Sequence, residues 1–96
     1  MNGQISGAQQ AALERLIQIA NGDTGQCRKV ASFLLAWWNA AECGGFDLTD
    51  LWGVDDDIAA DMIAVFAFLP QCHHYPDTLG YTRQFQAIVQ AWQVKS

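Results

Sequence analysis

The residue types best suited to chemistry stand together in the last third of the chain, as Cys72, His73 and His74. Thiolate and imidazole are ligands that zinc prefers, but a structural zinc site needs about four of them, usually as two short-spaced pairs. The remaining cysteines, Cys27 and Cys43, do not form a C-x-x-C pair with each other or with Cys72. We therefore predict no bound metal or cofactor, and we interpret Cys27 and Cys43 as small buried hydrophobic side chains.

The same three residues could instead supply a nucleophile and its base. A catalytic pair needs the thiol and the imidazole aimed at one reacting atom, with a third group orienting the base. Adjacent residues rarely meet that condition, although Asp77 could serve as the third group. No phosphate-binding or dinucleotide-binding glycine motif is present. We predict that the protein is not an enzyme, and a small-ligand or metal-binding role for the Cys72-His73-His74 loop stays open as the alternative function.

Acidic residues form the second distinctive group. The chain has a net charge of -5, and residues 30–82 contain acids but no lysine or arginine. An EF-hand calcium loop would need acids at its first, third and fifth positions, and the pattern that starts at Asp47 fails this test. Asp55, Asp56 and Asp57 fit a helix start, where the helix dipole favours negative charge. The lack of clustered basic residues argues against direct binding to nucleic-acid phosphates.

The leading functional hypothesis is a small acidic protein-interaction module. An acidic surface attracts a protein partner with a basic surface. The candidate partner-binding residues are Asp47, Asp50, Trp52, Asp57, Asp61 and Phe68. A sharper version is an inhibitor that mimics nucleic acid and so blocks a nucleic-acid-binding protein. The simpler alternative is that the acids only begin helices and keep the protein in solution.

Hydrophobic periodicity predicts the elements that must position these residues. Apolar residues recur at helical spacing in four segments, at about 8–21, 25–43, 56–69 and 81–93, and a short helical turn fits 48–52. No segment alternates apolar and polar residues, so we predict no sheet. The second helix is apolar around most of its circumference, which is typical of a central helix. The prediction is an all-α protein, one compact domain over 1–96 that forms a bundle of four main helices and a short helical turn, with helix two at its centre.

Individual core positions follow from the same spacing. On the third helix the predicted buried stripe is Ile58, Met62, Val65, Phe66 and Leu69. Phe68 falls on the opposite side, which is an unexpected place for an aromatic residue. Trp37 is predicted to lie in the core, since aromatic residues at helical spacing usually do. Trp52 is expected to pack against the second helix, although its place in a short turn leaves a role in ligand contact open.

The longest apolar runs, 30–38 and 62–69, are far shorter than the roughly 20 residues that a membrane-spanning helix needs. The first residues have neither the basic nor the apolar region of a signal peptide. Three cysteines without short spacings do not suggest a disulfide framework. We expect a cytoplasmic protein that does not bind membranes.

Four phrases in the sequence carry a resemblance to a known family. They are Gly-Asp-Thr-Gly-Gln (22–26), Ala-Trp-Trp-Asn-Ala (36–40), Cys-Gly-Gly-Phe-Asp-Leu-Thr-Asp-Leu-Trp-Gly-Val-Asp (43–55) and Tyr-Pro-Asp-Thr-Leu-Gly-Tyr (75–81). Over about residues 13–93 the chain resembles a family of small uncharacterised bacterial proteins encoded on proteobacterial plasmids and integrative elements. The resemblance implies a bacterial, mobile-element origin. It implies no activity and no functional residue.

Overall fold

The computed structural model describes residues 5–92, and within that range every regular element is helical. The elements are α1 (Gly7–Ala20), α2 (Gly25–Cys43), a first 3-10 helix (Leu48–Gly53), α3 (Asp56–Phe68), a second 3-10 helix (Pro76–Leu79) and α4 (Thr82–Trp92). The predicted all-α bundle is confirmed, and the second 3-10 helix adds a turn outside the predicted elements. No helix in the described range has both the length and the apolar character needed to cross a membrane.

Side-chain caps explain where the first helices begin. Ser6 and Gln9 form a capping box, with the Gln9 N–H donating to Ser6 Oγ (3.0 Å) and the Ser6 N–H donating to Gln9 Oε1 (3.1 Å). The Thr24 hydroxyl accepts an N–H from the first turn of α2. Asp55 precedes α3 as predicted but its side chain makes no capping bond. Its backbone N–H instead donates to Gln26 Oε1 (2.6 Å), which ties the start of α3 to the start of α2.

The core forms around α1 and α2 together. α2 packs against α1, α4 and the first 3-10 helix, while α1 packs against α2, α3 and α4. Leu13 and Leu16 of α1 and Leu34 of α2 are fully buried, and each such side chain stabilises the fold by about 1.5–3 kcal/mol relative to full exposure. α2 and α3 both pack on α1 but contact each other little. This arrangement leaves an opening between α2 and α3 that α1 does not fill.

A break near the end of α2 directs the chain toward that opening. Asn39 has φ -164° and ψ 77°, so the helix is interrupted there, and its Oδ1 accepts the Glu42 N–H (3.3 Å) to start one last turn. Gly44 follows with a φ of +95°, a conformation that favours glycine. The chain then brings Phe46 edge-to-face against Phe33 of α2, with ring centroids 5.3 Å apart. The first 3-10 helix is therefore held beside α2.

The C-terminal helix is fastened to α1 by polar contacts. Tyr81 Oη donates to Glu14 Oε2 (3.0 Å) and accepts from Gln10 Nε2 (3.3 Å). Burial raises the pKa of Tyr81; the hydrogen bond from Gln10 lowers it, and Glu14 raises it further. Trp92 Nε1 donates to the Ala20 carbonyl (2.7 Å), at the end of α1. These contacts close the side of the bundle that lies away from the opening between α2 and α3.

Candidate functional site

An open apolar groove of about 360 Å³ lies between α2, the first 3-10 helix and α3. Its α2 side is formed by Phe33, Ala36 and Trp37. The segment that contains the first 3-10 helix contributes Phe46, Leu48 and Leu51. Because α2 and α3 contact each other little, these side chains cover only part of the space between the two helices. We call this feature the apolar groove.

The remaining wall of the apolar groove is α3, through Met62, Ile63, Phe66 and Leu69. Met62 is buried, whereas Ile63 is 62% exposed and Phe66 is 60% exposed. Positions 62, 66 and 69 follow helical spacing, so they form one continuous stripe along α3. The wall therefore runs from a buried base to an exposed apolar edge.

The two phenylalanines at the end of α3 are exchanged relative to the sequence prediction. Phe66 was assigned to the core and Phe68 to the surface, but Phe68 is only 1% exposed. Residues two positions apart point to nearly opposite sides of a helix, so only one of the two can be buried by the same neighbour. α3 is apolar on almost every side, and its pattern could not show which side would face the core. Phe68 is therefore not a surface site residue.

Large apolar side chains are also exposed on the first 3-10 helix. Trp52 is 85% exposed, so the expectation that it packs against α2 is wrong. Leu48, four residues earlier on the same helix, is exposed as well and lines the apolar groove. A six-residue 3-10 helix cannot bury all its apolar residues against α2, because its side chains project in three directions. Trp52 thus stays a candidate site residue because it is exposed, although it does not line the apolar groove.

The predicted acidic residues do not all share one surface. Asp47 and Asp50 lie at the first 3-10 helix, and Asp57 is exposed in the first turn of α3. Asp61 instead accepts two hydrogen bonds from Arg15 of α1, at 2.9 Å from Nε and 2.8 Å from Nη2. A carboxylate that is paired with a cation of the same chain adds little to the electrostatic field outside the protein. Asp61 therefore belongs to the α1–α3 contact.

Asp47 combines a local structural role with a persistent charge. Its Oδ1 accepts the Thr49 N–H (3.0 Å) and the Thr49 hydroxyl (2.8 Å). These hydrogen bonds lower the pKa of Asp47 below its usual value, because they stabilise the ionised carboxylate. Asp47 begins the first 3-10 helix and remains negatively charged at neutral pH.

The surroundings of the apolar groove are acidic. Residues 46–69 include six aspartates and no lysine, arginine or histidine. Apart from Arg15–Asp61, no ion pair involving these aspartates is found among residues 5–92. Lys29 is the nearby cation; its side chain lies against Gly53, at the far end of the first 3-10 helix from Asp47. The uncompensated charge around the groove is therefore negative.

The Cys72-His73-His74 loop is held by local structural contacts. Cys72 is buried, with its Sγ 3.5 Å from the His74 carbonyl oxygen. His73 Nε2 lies 2.9 Å from the Pro70 carbonyl oxygen, and the Trp37 indole N–H donates to the His74 carbonyl (3.2 Å). In the described part of the chain, no three His, Cys, Asp or Glu side chains are close enough to hold a metal ion. The loop thus buttresses Trp37 beside the apolar groove.

The other two cysteines are half-buried, not fully buried as expected. Cys27 Sγ accepts a hydrogen bond from the Thr24 hydroxyl (3.1 Å). Burial raises the pKa of Cys43, and the neighbouring Glu42 carboxylate raises it further. A raised thiol pKa disfavours the nucleophilic thiolate, so Cys43 has no sign of an activated nucleophile.

Three residues of the groove edge were missed from the sequence, namely Leu48, Ile63 and Phe66. A usable signal was present in α3, whose residues are apolar around most of the helix between Ile58 and Leu69. A helix of that kind needs cover on every side. In a chain of 96 residues with one core, some of that cover is missing. The reasoning that makes α2 a central helix therefore applies to α3 as well.

Comparison with known proteins places the chain within a family. The model described as "Family of unknown function (DUF7673)" matches residues 10–93, which include all four α-helices except the first residues of α1. No curated protein and no solved structure matches the chain. The resemblance to a family without an assigned activity is confirmed, while a proteobacterial mobile-element origin stays a prediction. The protein belongs to this family of unknown function.

Proposed function

We propose that this protein is a non-catalytic, cytoplasmic protein-interaction module that binds a partner protein in the apolar groove. The observation that carries the proposal is the exposure of Leu48, Ile63 and Phe66, which all line one groove. Contiguous exposed apolar surface on a small domain marks an interaction site, because such surface is costly to leave in water.

A macromolecular partner fits the groove better than a small ligand. The volume of about 360 Å³ lies within the range of ligand pockets, but such pockets combine apolar walls with a few polar groups that orient the ligand. The lining residues are all apolar apart from the indole N–H of Trp37, which already donates to the His74 carbonyl. A protein partner can instead gain affinity from apolar contact area and be oriented by contacts at the rim.

The acids around the groove favour a partner with a basic surface. Such a field speeds the encounter of opposite charges and rejects acidic competitors. A nucleic-acid mimic has less support, because its charges would have to imitate a row of phosphates, whereas here an apolar groove interrupts the acids and Arg15 neutralises Asp61. The Cys72-His73-His74 alternative also has less support, since the contacts of its atoms are local and structural.

The proposal is tested by cross-linked capture from the native host with matched surface variants. The variant Ile63→Ser/Phe66→Ser removes the exposed apolar edge of α3. Tyr75→Ser is the control, because Tyr75 is an equally exposed aromatic residue that does not line the groove. We expect the double variant to lose the captured partner and Tyr75→Ser to retain it, with both melting temperatures close to that of the wild type.

Two results would argue against the proposal. Partner capture unchanged by Ile63→Ser/Phe66→Ser would remove the groove from the binding surface. A large fall in melting temperature in the same variant would show that Ile63 and Phe66 are part of the core and not of a site.

A further inference from the structure

We infer that the occupant of the apolar groove is a basic amphipathic α-helix from a partner protein. This inference rests on the proposed function and specifies the partner. It follows from three properties of the groove: the lack of free hydrogen-bonding side chains in its lining, its length and the charge around it.

The lack of free hydrogen-bonding side chains in the groove lining favours a partner segment that is helical. An extended or polyproline segment enters a groove with backbone N–H and C=O groups that need partners, and leaving them unpaired costs about 1–3 kcal/mol each. The side chains that line the groove offer no such partner, because all are apolar except Trp37, whose indole N–H already donates to the His74 carbonyl. The described residues also contain no strand to which a peptide could add. An α-helix satisfies its own backbone and presents only side chains.

The length of the groove wall matches a short helical segment. From Met62 to Leu69, the residue that caps α3, the wall spans eight residues, and the seven helical steps between them rise about 10 Å. A partner helix presents side chains at positions i, i+3 or i+4, and i+7 over the same distance. Two or three apolar side chains of such a helix would therefore insert between Phe33 on α2 and Phe66 on α3.

The negative charge around the groove favours a partner helix that is basic. Asp47 and Asp50 lie on the segment that forms one wall. Asp56 lies seven residues before Ile63 on α3, and this spacing puts both residues on the same side of the helix. None of the three forms an ion pair with another residue of the range 5–92. Lysine or arginine on the outer face of the partner helix would meet these carboxylates.

A second copy of this chain fits the same surface poorly. In a symmetric dimer the same patch appears on both sides of the interface. The acids Asp47, Asp50 and Asp56 of both copies would then be brought together around one apolar contact, with no added positive charge to offset them. Like charges placed across an interface oppose association by several kcal/mol. We therefore expect the isolated protein to be a monomer.

The inference is tested with synthetic peptides and fluorescence anisotropy. The probe is an amphipathic peptide of roughly 16 residues with leucine at helical spacing and lysine on the other face. One control carries glutamate in place of every lysine, and another has the lysine peptide's composition in scrambled order. We expect the lysine helix to bind at least about tenfold more tightly than either control, with the preference over the glutamate peptide shrinking as salt is added.

Matched charge variants locate the effect on the protein. Asp47→Asn/Asp50→Asn/Asp56→Asn should weaken the lysine helix by about tenfold, mainly through slower association. The control variant Asp23→Asn/Glu42→Gln/Asp77→Asn makes the same change in net charge at exposed positions outside the first 3-10 helix and α3. It should leave the affinity within about twofold of the wild type, because exposed charges farther than about 10 Å are largely screened.

The outcomes separate this inference from the proposed function. Equal binding of lysine and glutamate helices, lost in Ile63→Ser/Phe66→Ser, would keep the groove as a docking site and overturn the basic partner. A dimer in analytical ultracentrifugation that the same double variant dissolves would make the occupant a second copy and overturn the inference. Failure of every peptide to bind would also overturn it, and the proposed function would then stand or fall on the capture experiment.

Discussion

The two sides of α3 are both largely apolar, but one side is buried and the other is exposed. On one side Asp61, Val65 and Phe68 follow helical spacing, with Asp61 bonded to Arg15 of α1 and the two apolar residues buried. On the other side Ile63 and Phe66 are more than half exposed. Both sides are apolar enough to be core. The difference comes from the neighbours, because α1 packs against α3 closely and α2 does not.

This contrast separates what the fold uses from what it leaves for a partner. Burial of the side that faces α1 stabilises the folded chain. The side that faces the apolar groove gives the isolated chain little, since much of its surface remains in water. A binding partner could recover that free energy. Substitutions on the side that faces α1 should therefore lower stability, whereas substitutions on the side that faces the apolar groove should weaken binding.

The largest expected effect is on the two phenylalanines of α3. Phe68→Ala should lower the free energy of unfolding by about 3–5 kcal/mol, as is usual for a fully buried aromatic residue. Phe66→Ala should cost less than about 1 kcal/mol, because most of the side chain is already in contact with water. Urea denaturation of both variants checks this. Equal losses would mean that the two sides of α3 do not differ.

A second pair of aromatic residues sharpens the comparison. Trp37 is half-buried, lies edge-to-face on Phe85 at 6.0 Å and donates to the His74 carbonyl. We expect Trp37→Ala to cost about 2–3 kcal/mol, somewhat below the value for a fully buried aromatic. Trp52→Ala should change stability by no more than about 0.5 kcal/mol, since Trp52 is exposed. Calorimetry showing a larger loss for Trp52 would place it in the core.

The Arg15–Asp61 ion pair predicts a smaller effect on the α1 side. Asp61→Asn removes a two-bond contact and should lower the melting temperature slightly, by less in high salt. Asp23→Asn is the matched control, because Asp23 is exposed, lies outside the helices and forms no ion pair with any residue described. If the two variants melt alike in low salt, Asp61 does not stabilise the α1–α3 contact.

The smallest effect is a titration on the closed side of the bundle. The variant Tyr75→Phe leaves Tyr81 as the single tyrosine, whose ultraviolet absorbance should titrate above the ordinary pKa of about 10. Because folding raises this pKa, the stabilisation is complete below the unfolded pKa and is lost as the pH rises through the folded one. Adding Glu14→Gln should lower the pKa only partly, since burial is the larger cause. A midpoint at the ordinary value would contradict the packing of Tyr81 between α1 and α4.

Most of the fold was predictable because its signals are local. The capping box at Ser6 and Gln9, the Thr24 cap and the glycines after α2 mark helix ends through interactions within a few residues. Helical spacing in α4 likewise predicted Phe85 and Ile88 as buried, and both are. Such signals need no knowledge of the tertiary structure.

The candidate site was predicted only in part because it depends on how helices pair. Asp47, Asp50 and Trp52 follow from charge and turn position, and they belong to the same segment as the groove-lining Leu48 and Leu51; their part in binding stays a prediction. Asp61 and Phe68 were predicted to lie on the exposed side of α3, but they lie on the side that packs within the bundle. Only the pairing of α3 with α1 in place of α2 decides which side is buried, and no pattern within α3 contains that information.

The central claim is that the apolar groove binds a partner, and methyl NMR tests it most directly. The lysine-rich amphipathic peptide would be titrated into protein labelled at isoleucine, leucine and methionine methyl groups. We predict that the signals of Leu48, Met62 and Ile63 shift with the peptide, while those of Leu13 and Ile88, buried elsewhere in the core, stay in place. Shifts confined to other methyl groups, or no shift at peptide concentrations that saturate the anisotropy signal, would contradict the claim.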